Sequence, residues 1–307
     1  MVFHFSVPPE DDGLRLDLFL RRRAGLSSTL LRRIKREGLE LTVDGEPRYT
    51  NQPVRAGERV AVDIPAYAPS ADSPAPDCAK PLKVLFEDDF LLAVWKPPML
   101  QTHPSPSMPR WSDTLENRVL SYLGYPAHPV HRLDSETSGI VLFSKLPYIQ
   151  WLLQQKLSGS AFEKGYLAAV CGAPSPSEGV IDAPIARIAP DSFTRCVSAE
   201  GRRALTRYRC LMTFPAGALE APVSVVRLSP LTGRTHQLRV HLHSIGCPIL
   251  GDARYATEAS AALSSELGLA RQQLCGDRLC FVHPVTHAEI RLQAENDLEM
   301  LALLKKP

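Results

Sequence analysis

No stretch of this 307-residue chain approaches the roughly 20 consecutive apolar residues that a membrane-crossing helix requires. The opening residues, MVFHFSVPPEDDG, lack the basic start and apolar core of a secretory leader. Cysteine is scattered, seven residues with no C-x-x-C pair, which excludes a disulfide scaffold or a zinc ribbon and suits a reducing space such as the cytoplasm. An excess of one charge is also lacking. Thirty-five Lys and Arg against 33 Asp and Glu leave +2, which by itself announces no nucleic acid. No G-x-x-x-x-G-K-[ST] occurs, and no G-x-G-x-x-G follows a strand, so no nucleotide cofactor is expected. The nine histidines offer no metal site. On a helix His236 and His241 stand about 140° apart and His241 and His243 about 200° apart, so neither pair shares a face as i, i+4 ligands do. HPVTH at 283–287 holds a proline and no supporting carboxylate spacing. No metal and no cofactor are expected, and no membrane partner.

What is present is an ordinary globular composition, 44% apolar and 22% charged, with 27 prolines that favour many short elements over a helical bundle. Composition shifts at AYAPSADSPAPDCAKP, which has no hydrophobic period and reads as a linker. The chain therefore divides into a small domain at 12–66, a linker at 67–81 and a large domain at 82–307. In the front domain Leu16, Phe19 and Leu20 make one helical face. Ser27 or Ser28 caps a second helix burying Leu30, Leu31 and Ile34, with Gly38 as its terminator. Asp44-Gly45 turns a hairpin, and Val60, Val62 and Ile64 alternate along a last strand. The two helical stretches carry Arg21, Arg22, Arg23, Arg32, Arg33, Lys35 and Arg36 with no acid among them. A solvated face is the ordinary explanation of such a run. Cations on both sides of a short helix–helix connection favour a phosphate-binding surface instead.

The large domain reads as strand-rich. KVLFEDDFLLAVWKPP is a strand, an Asp-Asp turn and a strand; GIVLFS is a strand buried on both faces; KGYLAAVCG and VSVVRLSP are further strands. YIQWLLQQKLSG reads as an amphipathic helix. TGRTHQLRVHLHSIGCPI reads as another, opened near Thr235, closed by Gly246 and buried through Leu238, Leu242 and Ile245. The expected fold is α+β: a small unit of two helices and a hairpin, then a large mixed, mostly antiparallel sheet with helices and loops at its edges.

HPVHRLDSETSGIVLFSK, residues 128–145, sets charged residues directly before a buried strand. Asp134 lies in the loop, where catalytic groups tend to sit. A guanidinium within a few ångströms lowers an aspartate pKa by about 1–3 units. Arg132 is near in sequence; Arg239, at the border of the Leu238 stripe, is the better-held partner. Turn capping through Ser135 to Ser138 is the competing use of Asp134. Glu136 is one residue removed, so in extended chain it points away and the two carboxylates do not make a hydrolase pair. Tyr166 shares a strand face with Ala168 and Val170. It is a core tyrosine or a plate for an extruded base, and Lys164 on that face is a candidate phosphate contact.

HRLDSETSG, KGYLAAV, GRTHQLRVHL, GCPILGDARY and FVHPVTHAEI occur in this order. Together they resemble the RluA-type pseudouridine synthases, from about Gly13 to Glu295, and the front domain resembles the RNA-binding domain of small-subunit ribosomal protein four. The resemblance implies that Asp134 is the essential carboxylate, Tyr166 the residue that stacks on the target base, and Arg239 the partner of Asp134. Arg132 then helps hold the everted nucleotide, and His131, Lys164, Arg234 and His236 belong to the substrate motifs. It implies an RNA partner, ribosomal before transfer RNA, a monomer, and no metal or cofactor. Arg21, Arg22, Arg32, Arg33, Lys35 and Arg36 are the expected RNA contacts of the front domain. The alternatives are a binder that has kept the scaffold without catalysis and a synthase directed to transfer RNA. Three positions depart from the family pattern. WKPPM has Trp95 and Met99 where Asn and Gly are usual, and Cys275 stands where His is frequent.

Overall fold

Phe3 and Phe5 alternate along β1 (Val2–Ser6) and pack inward. In this computed structural model, which describes residues 1–65, 80–105, 108–109, 112–155, 162–215 and 221–298, β1 edges a four-stranded antiparallel sheet. Its order is β1, β4 (Arg59–Asp63), β2 (Leu41–Val43), β3 (Glu46–Pro47). The front unit thus begins at Val2, ahead of the boundary at residue 12 that composition suggests. Two prolines and three acids separate β1 from the first helix and hide it from a periodicity reading.

Helix α1 (Leu16–Arg23) buries Leu16, Phe19 and Leu20, and α2 (Ser28–Arg36) buries Leu31 and Ile34. Ser27 is the cap, its hydroxyl accepting from Leu30 N–H at 3.1 Å. Asp44 and Gly45 both have positive φ, 52° and 85°, as a two-residue hairpin turn requires. The linker expected at 67–81 lies mostly outside the described residues.

The rear unit is one ten-stranded sheet. Its main path runs β10 (Glu178–Asp182), β13 (Leu205–Phe214), β14 (Val223–Pro230), β9 (Phe162–Cys171), β15 (Leu274–Val282), β8 (Ser138–Ser144), β6 (Leu91–Lys96) and β5 (Lys83–Glu87). β7 (His128–Pro129) adds to β8 and β16 (Glu289–Gln293) to β15; β11 (Ile185–Arg187) and β12 (Arg195–Val197) form a separate ribbon. Among the strand pairings of the described residues only β8–β15 is parallel. There Gly139 passes so close to Gly276 that a Cβ would sit 2.4 Å from the Gly276 carbonyl oxygen. That close pass brings the strand behind Asp134 against the centre of the sheet.

Among the described residues four helices flank the sheet: α3 (Leu115–Leu123), α4 (Pro147–Gln154), α5 (Gln237–Ser244) and α6 (Glu258–Glu266). Residues 156–159 of the expected helix after Tyr148 lie outside the described residues. No helix among the described residues is long and apolar enough to cross a membrane.

Phe3 and Phe5 meet the Tyr148 ring edge-on, centroids 4.8 and 5.9 Å apart, so one core joins the two units. A second core puts Leu133, Tyr166, Ala168, Leu228, Leu238 and Leu242 together and seats α5 on the sheet. A third lies on the opposite face, under Leu167, Ala169 and Val225.

Candidate active site

Each element that holds Asp134 does so for a local reason. The loop between β7 and β8 turns at Asp134, whose carbonyl accepts from Thr137 N–H at 3.1 Å. Thr102 ties the preceding residue: its hydroxyl donates to the Leu133 carbonyl at 2.9 Å and accepts the Leu133 N–H at 3.3 Å. Lys96 ties the following one. Its fully buried ammonium donates to the carbonyls of Pro97, Leu100 and Ser135 at 2.9, 2.7 and 2.8 Å. Two prolines leave that turn short of N–H donors, and the lysine supplies them. Burial lowers the Lys96 pKa to about 7, against the opposing charges of Asp134 and Asp297.

The backbone turn leaves the Asp134 side chain directed elsewhere. Arg239 Nη1 donates to Asp134 Oδ2 at 3.0 Å. Nε and Nη2 of the same guanidinium grip both oxygens of Asp252 at 2.7 Å each. Asp252 is itself fixed, its Oδ1 accepting N–H groups of Arg254 and Tyr255, and the Tyr255 ring lies 5.0 Å beneath the guanidinium. Burial works against the charge of Arg239, yet the hydrogen bonds and charge of Asp252, with those of Asp134, outweigh it and raise its pKa. The Asp252 side chain is wholly buried and that of Asp134 is 33% exposed. Of the two carboxylates on this arginine, only Asp134 reaches open space.

His236 stands at the helix N-cap with φ 57°, a left-handed conformation uncommon outside glycine. This posture puts Nδ1 2.7 Å from the Tyr255 hydroxyl and Nε2 4.0 Å from Asp134 Oδ2. Gln237 secures the loop before it, accepting from Thr232 Oγ1 and Arg234 N–H and donating to Leu205 O and Thr206 Oγ1. Tyr166 is buried in the same apolar wall as Leu133 and Leu238. Burial first, then the nearby Asp134 charge, raises its pKa, so it is a neutral phenol.

The remaining candidates fall in different places. Lys164 is half-buried, its pKa lowered by burial, with Nζ 4.0 Å from the point where a Cβ on Gly233 would sit. Arg132 is exposed, Nη1 3.2 Å from His103 Nε2. The Nε of Arg234 is engaged with the Arg203 carbonyl at 3.0 Å. His131 lies in the wall. Its ring is buried edge-on against Phe162, Nε2 accepts the Leu142 N–H at 3.4 Å, and burial, reinforced by the Lys164 charge, lowers its pKa to about 3. Glu136 turns to the Gln272 N–H at 3.4 Å, away from Asp134.

In the front unit the acid-free reading of the two helices needs revision. Arg22 and Arg23 bind Asp11, Arg23 also binds Glu10, and Arg33 and Arg36 bind Glu37. These acids lie just outside the window that looks acid-free. Among the described residues Arg21, Arg32 and Lys35 have no acidic partner.

Three contributors escaped the residue-level reading: Lys96, Asp252 and Tyr255. The last two lie inside the GDARY motif, but nothing in their spacing says they reach back to α5. The Met99 departure is resolved by its φ of 61°. The backbone takes the left-handed turn that glycine favours, at a cost of roughly 1–2 kcal/mol. Trp95 lies under Lys83, whose Nζ is 5.9 Å from its ring. Cys275 is buried, which pushes its thiol up to about 12. Among the described residues no three His, Cys, Asp or Glu side chains group to hold a metal.

Residues 90–244 match a family model described as RNA pseudouridylate synthase. A protein of Aquifex aeolicus (strain VF5) named "Uncharacterized RNA pseudouridine synthase" is 34% identical over 294 residues, 92% of this chain and 90% of that one. "Ribosomal large subunit pseudouridine synthase D" of Xanthomonas campestris pv. campestris is 36% identical over 84% of this chain and 79% of its own. Among solved structures, "Human RNA Pseudouridylate Synthase Domain Containing 4" is similar with a TM-score of 0.57 and 26% identity, over 72% of this chain and 91% of that one.

Proposed function

The chain belongs to the RNA pseudouridylate synthase family, and on that premise we propose that it isomerises uridines of large-subunit ribosomal RNA with Asp134 as the catalytic carboxylate. The observation that carries the assignment is the asymmetry of the arginine clamp: one aspartate of Arg239 is sealed and the other is open. In the reaction the bond from ribose carbon 1 to the uracil nitrogen breaks, the base turns, and carbon 5 joins the ribose as its proton leaves. Asp134 acts either as nucleophile toward the sugar or as base toward a ribose proton, and Arg239 holds the carboxylate for either role.

Extruding the uridine costs a few kcal/mol. Stacking on Tyr166 returns about 1–3 kcal/mol of that, and a phenol that stays neutral suits a dry base pocket. Arg132, exposed beside the loop, braces the vacated stack, while Lys164, Arg234 and His236 face the nucleotide's polar edges and phosphates. The front unit, residues 12–66 together with β1, serves as an RNA-binding module of the ribosomal-protein-four type joined by the 67–81 linker to a catalytic domain at 82–307. Relatives named for the large ribosomal subunit support ribosomal over transfer RNA.

The test is RNA tritiated at uracil carbon 5. Wild-type protein releases tritium, and Asp134→Asn binds the same RNA without release. Release at the wild-type rate by the asparagine variant overturns the role of Asp134. Mapping the uridines that lose modification when the gene is deleted identifies the RNA, and a loss confined to transfer RNA overturns the ribosomal assignment.

A further inference from the structure

The strands β13, β14 and β9 have two faces. Thr206 and Tyr208, Val226 and Leu228, and Tyr166 and Ala168 point toward α5 and the site. The residues between them point to the other side. On that side Arg207, Arg209 and Arg227 surround, with Arg278 of β15, a cavity of about 650 Å³.

The register explains its shape. Val180 of β10 pairs with Arg207, Arg207 with Ser229, and Arg278 with Gly165, while Ser229 and Gly165 each adjoin the paired Leu228 and Tyr166. One row across five strands therefore reads Val, Arg, Ser, Gly, Arg. With strands roughly 4.8 Å apart, the two arginines of that row begin about 14 Å apart over a floor of two small residues. Gly165 has an ordinary backbone, but a Cβ there would sit 3.0 Å from Arg278 Cβ and 3.5 Å from its Cδ. The missing side chain is what lets the Arg278 stem lie flat toward the groove.

The next row sets Arg209 directly opposite Arg227. Like charges in that relation are destabilising. Glu178 binds Arg209 at 2.7 Å and Asp277 binds Arg227 at 2.5 Å. Four arginines less these two acids leave a net +2. Among the described residues Arg207 and Arg278 have no acidic partner, and both are exposed. Val180 and Leu211, 52% and 48% exposed, add an apolar platform beside them. Converging guanidiniums, a low floor and an adjacent apolar ledge match a phosphodiester backbone with its sugars. The lining reaches Glu178, Gly179 and Val180 of β10, the end strand of the sheet, so a continuous polymer can pass over that edge.

We infer that this groove, on the sheet face away from Asp134, is a second phosphate-binding surface that holds a segment of the substrate RNA remote from the target uridine. The inference rests on the reading of the chain as an RNA-directed synthase. An RNA that occupies both faces must wrap the β10 edge, so a short stem-loop carrying only the target does not reach the groove.

The experiment compares such a stem-loop with a long structured RNA, using the full chain and the double variant Arg207→Ala/Arg278→Ala. On the stem-loop, tritium release is unchanged. On the long RNA, KM rises roughly tenfold at unaltered kcat, and the slope of log affinity against log salt falls by about 2. Arg207→Lys/Arg278→Lys restores most of the salt slope. An unchanged KM and salt slope for the long RNA overturns the inference, and so does an equal loss on the stem-loop. If wild-type protein releases no tritium from either RNA, the synthase reading fails, and the salt titration of binding still decides whether the groove takes RNA.

Discussion

The front and rear units each hold a sunken ionic cluster, and the two are inverted. In front, one buried carboxylate, Asp11, gathers two arginines, Arg22 and Arg23, whose side chains are 62% and 35% exposed. In the rear, one buried guanidinium, Arg239, gathers two carboxylates. The front cluster includes Glu10, so its charges cancel and its arms run out into water. The rear cluster keeps an uncancelled negative charge and exposes it at one side chain. Burying the cation leaves one carboxylate open to solvent, as the proposed role of Asp134 requires; burying the anion and leaving the cations open makes a structural tie between the turn at Pro9–Asp11 and α1. On the proposed function, the front unit's RNA contacts would fall chiefly to Arg21, Arg32 and Lys35.

The strongest way to break this comparison is to remove each buried acid. Asp252→Ala leaves the Arg239 guanidinium buried with two donors unpaired. It should cost about 3–5 kcal/mol of stability and abolish tritium release. Asp11→Ala frees two arginines that swing into solvent, so it should cost only about 1–2 kcal/mol and spare release from a short stem-loop. Urea unfolding of both variants reads the difference. Equal losses would mean that exposure of the partner does not set the cost.

Lys96 sharpens the same point, because it is a buried cation held by carbonyls without a carboxylate. Burial lowers its pKa in the folded chain to about 7, from an ordinary 10.5. Between those values the unfolded chain binds a proton that the folded chain does not. Stability therefore rises with pH across that window, by up to about 1.4 kcal/mol per unit, and the penalty is fully present below pH 7. Lys96→Met carries no such proton. The wild type should gain on the variant steadily from pH 7 to 10, and a stability gap that stays flat over that range would show that the ammonium keeps its proton.

How much of this was legible depends on the residue. GIVLFS, KGYLAAV and the Leu238 stripe are uninterrupted patterns, and β8, β9 and α5 form where they predict. β15 was missed because Gly276 and Asp277 break its period at a bulge. β13 is hidden because Leu205 and Leu211 alternate in step with Arg207 and Arg209, and a bulge between Cys210 and Met212 breaks the period. Helix α3 carries a readable cap, Thr114 accepting from Asn117 N–H at 3.3 Å, a stripe of Leu115, Val119 and Leu123 that packs in the second core, and a left-handed end at Gly124 with φ 74°, so it too was legible. At the site, the Asp134–Arg239 contact follows from a helix stripe that fixes where Arg239 points. The grip of Asp252 does not, since it depends on a loop folding back over α5. Lys96 left a subtler trace: a lysine closing an apolar strand before two prolines, where carbonyls outnumber donors.

The smallest effects belong to the front surface, and they test which of its cations face RNA. Arg21, Arg32 and Lys35 are exposed and lack acidic partners among the described residues, whereas Arg22 already serves Asp11. Replacing one of the three by alanine should lower the slope of log affinity against log salt by about 1 and weaken all RNA sequences alike. Arg22→Ala should leave that slope nearly intact, because its guanidinium is already neutralised by Asp11 and releases few counterions from the RNA. Measured side by side, equal slopes for Arg32→Ala and Arg22→Ala would mean that the ion pair opens when RNA binds. The contrast between a tied and a free arginine would then hold only for the unbound protein.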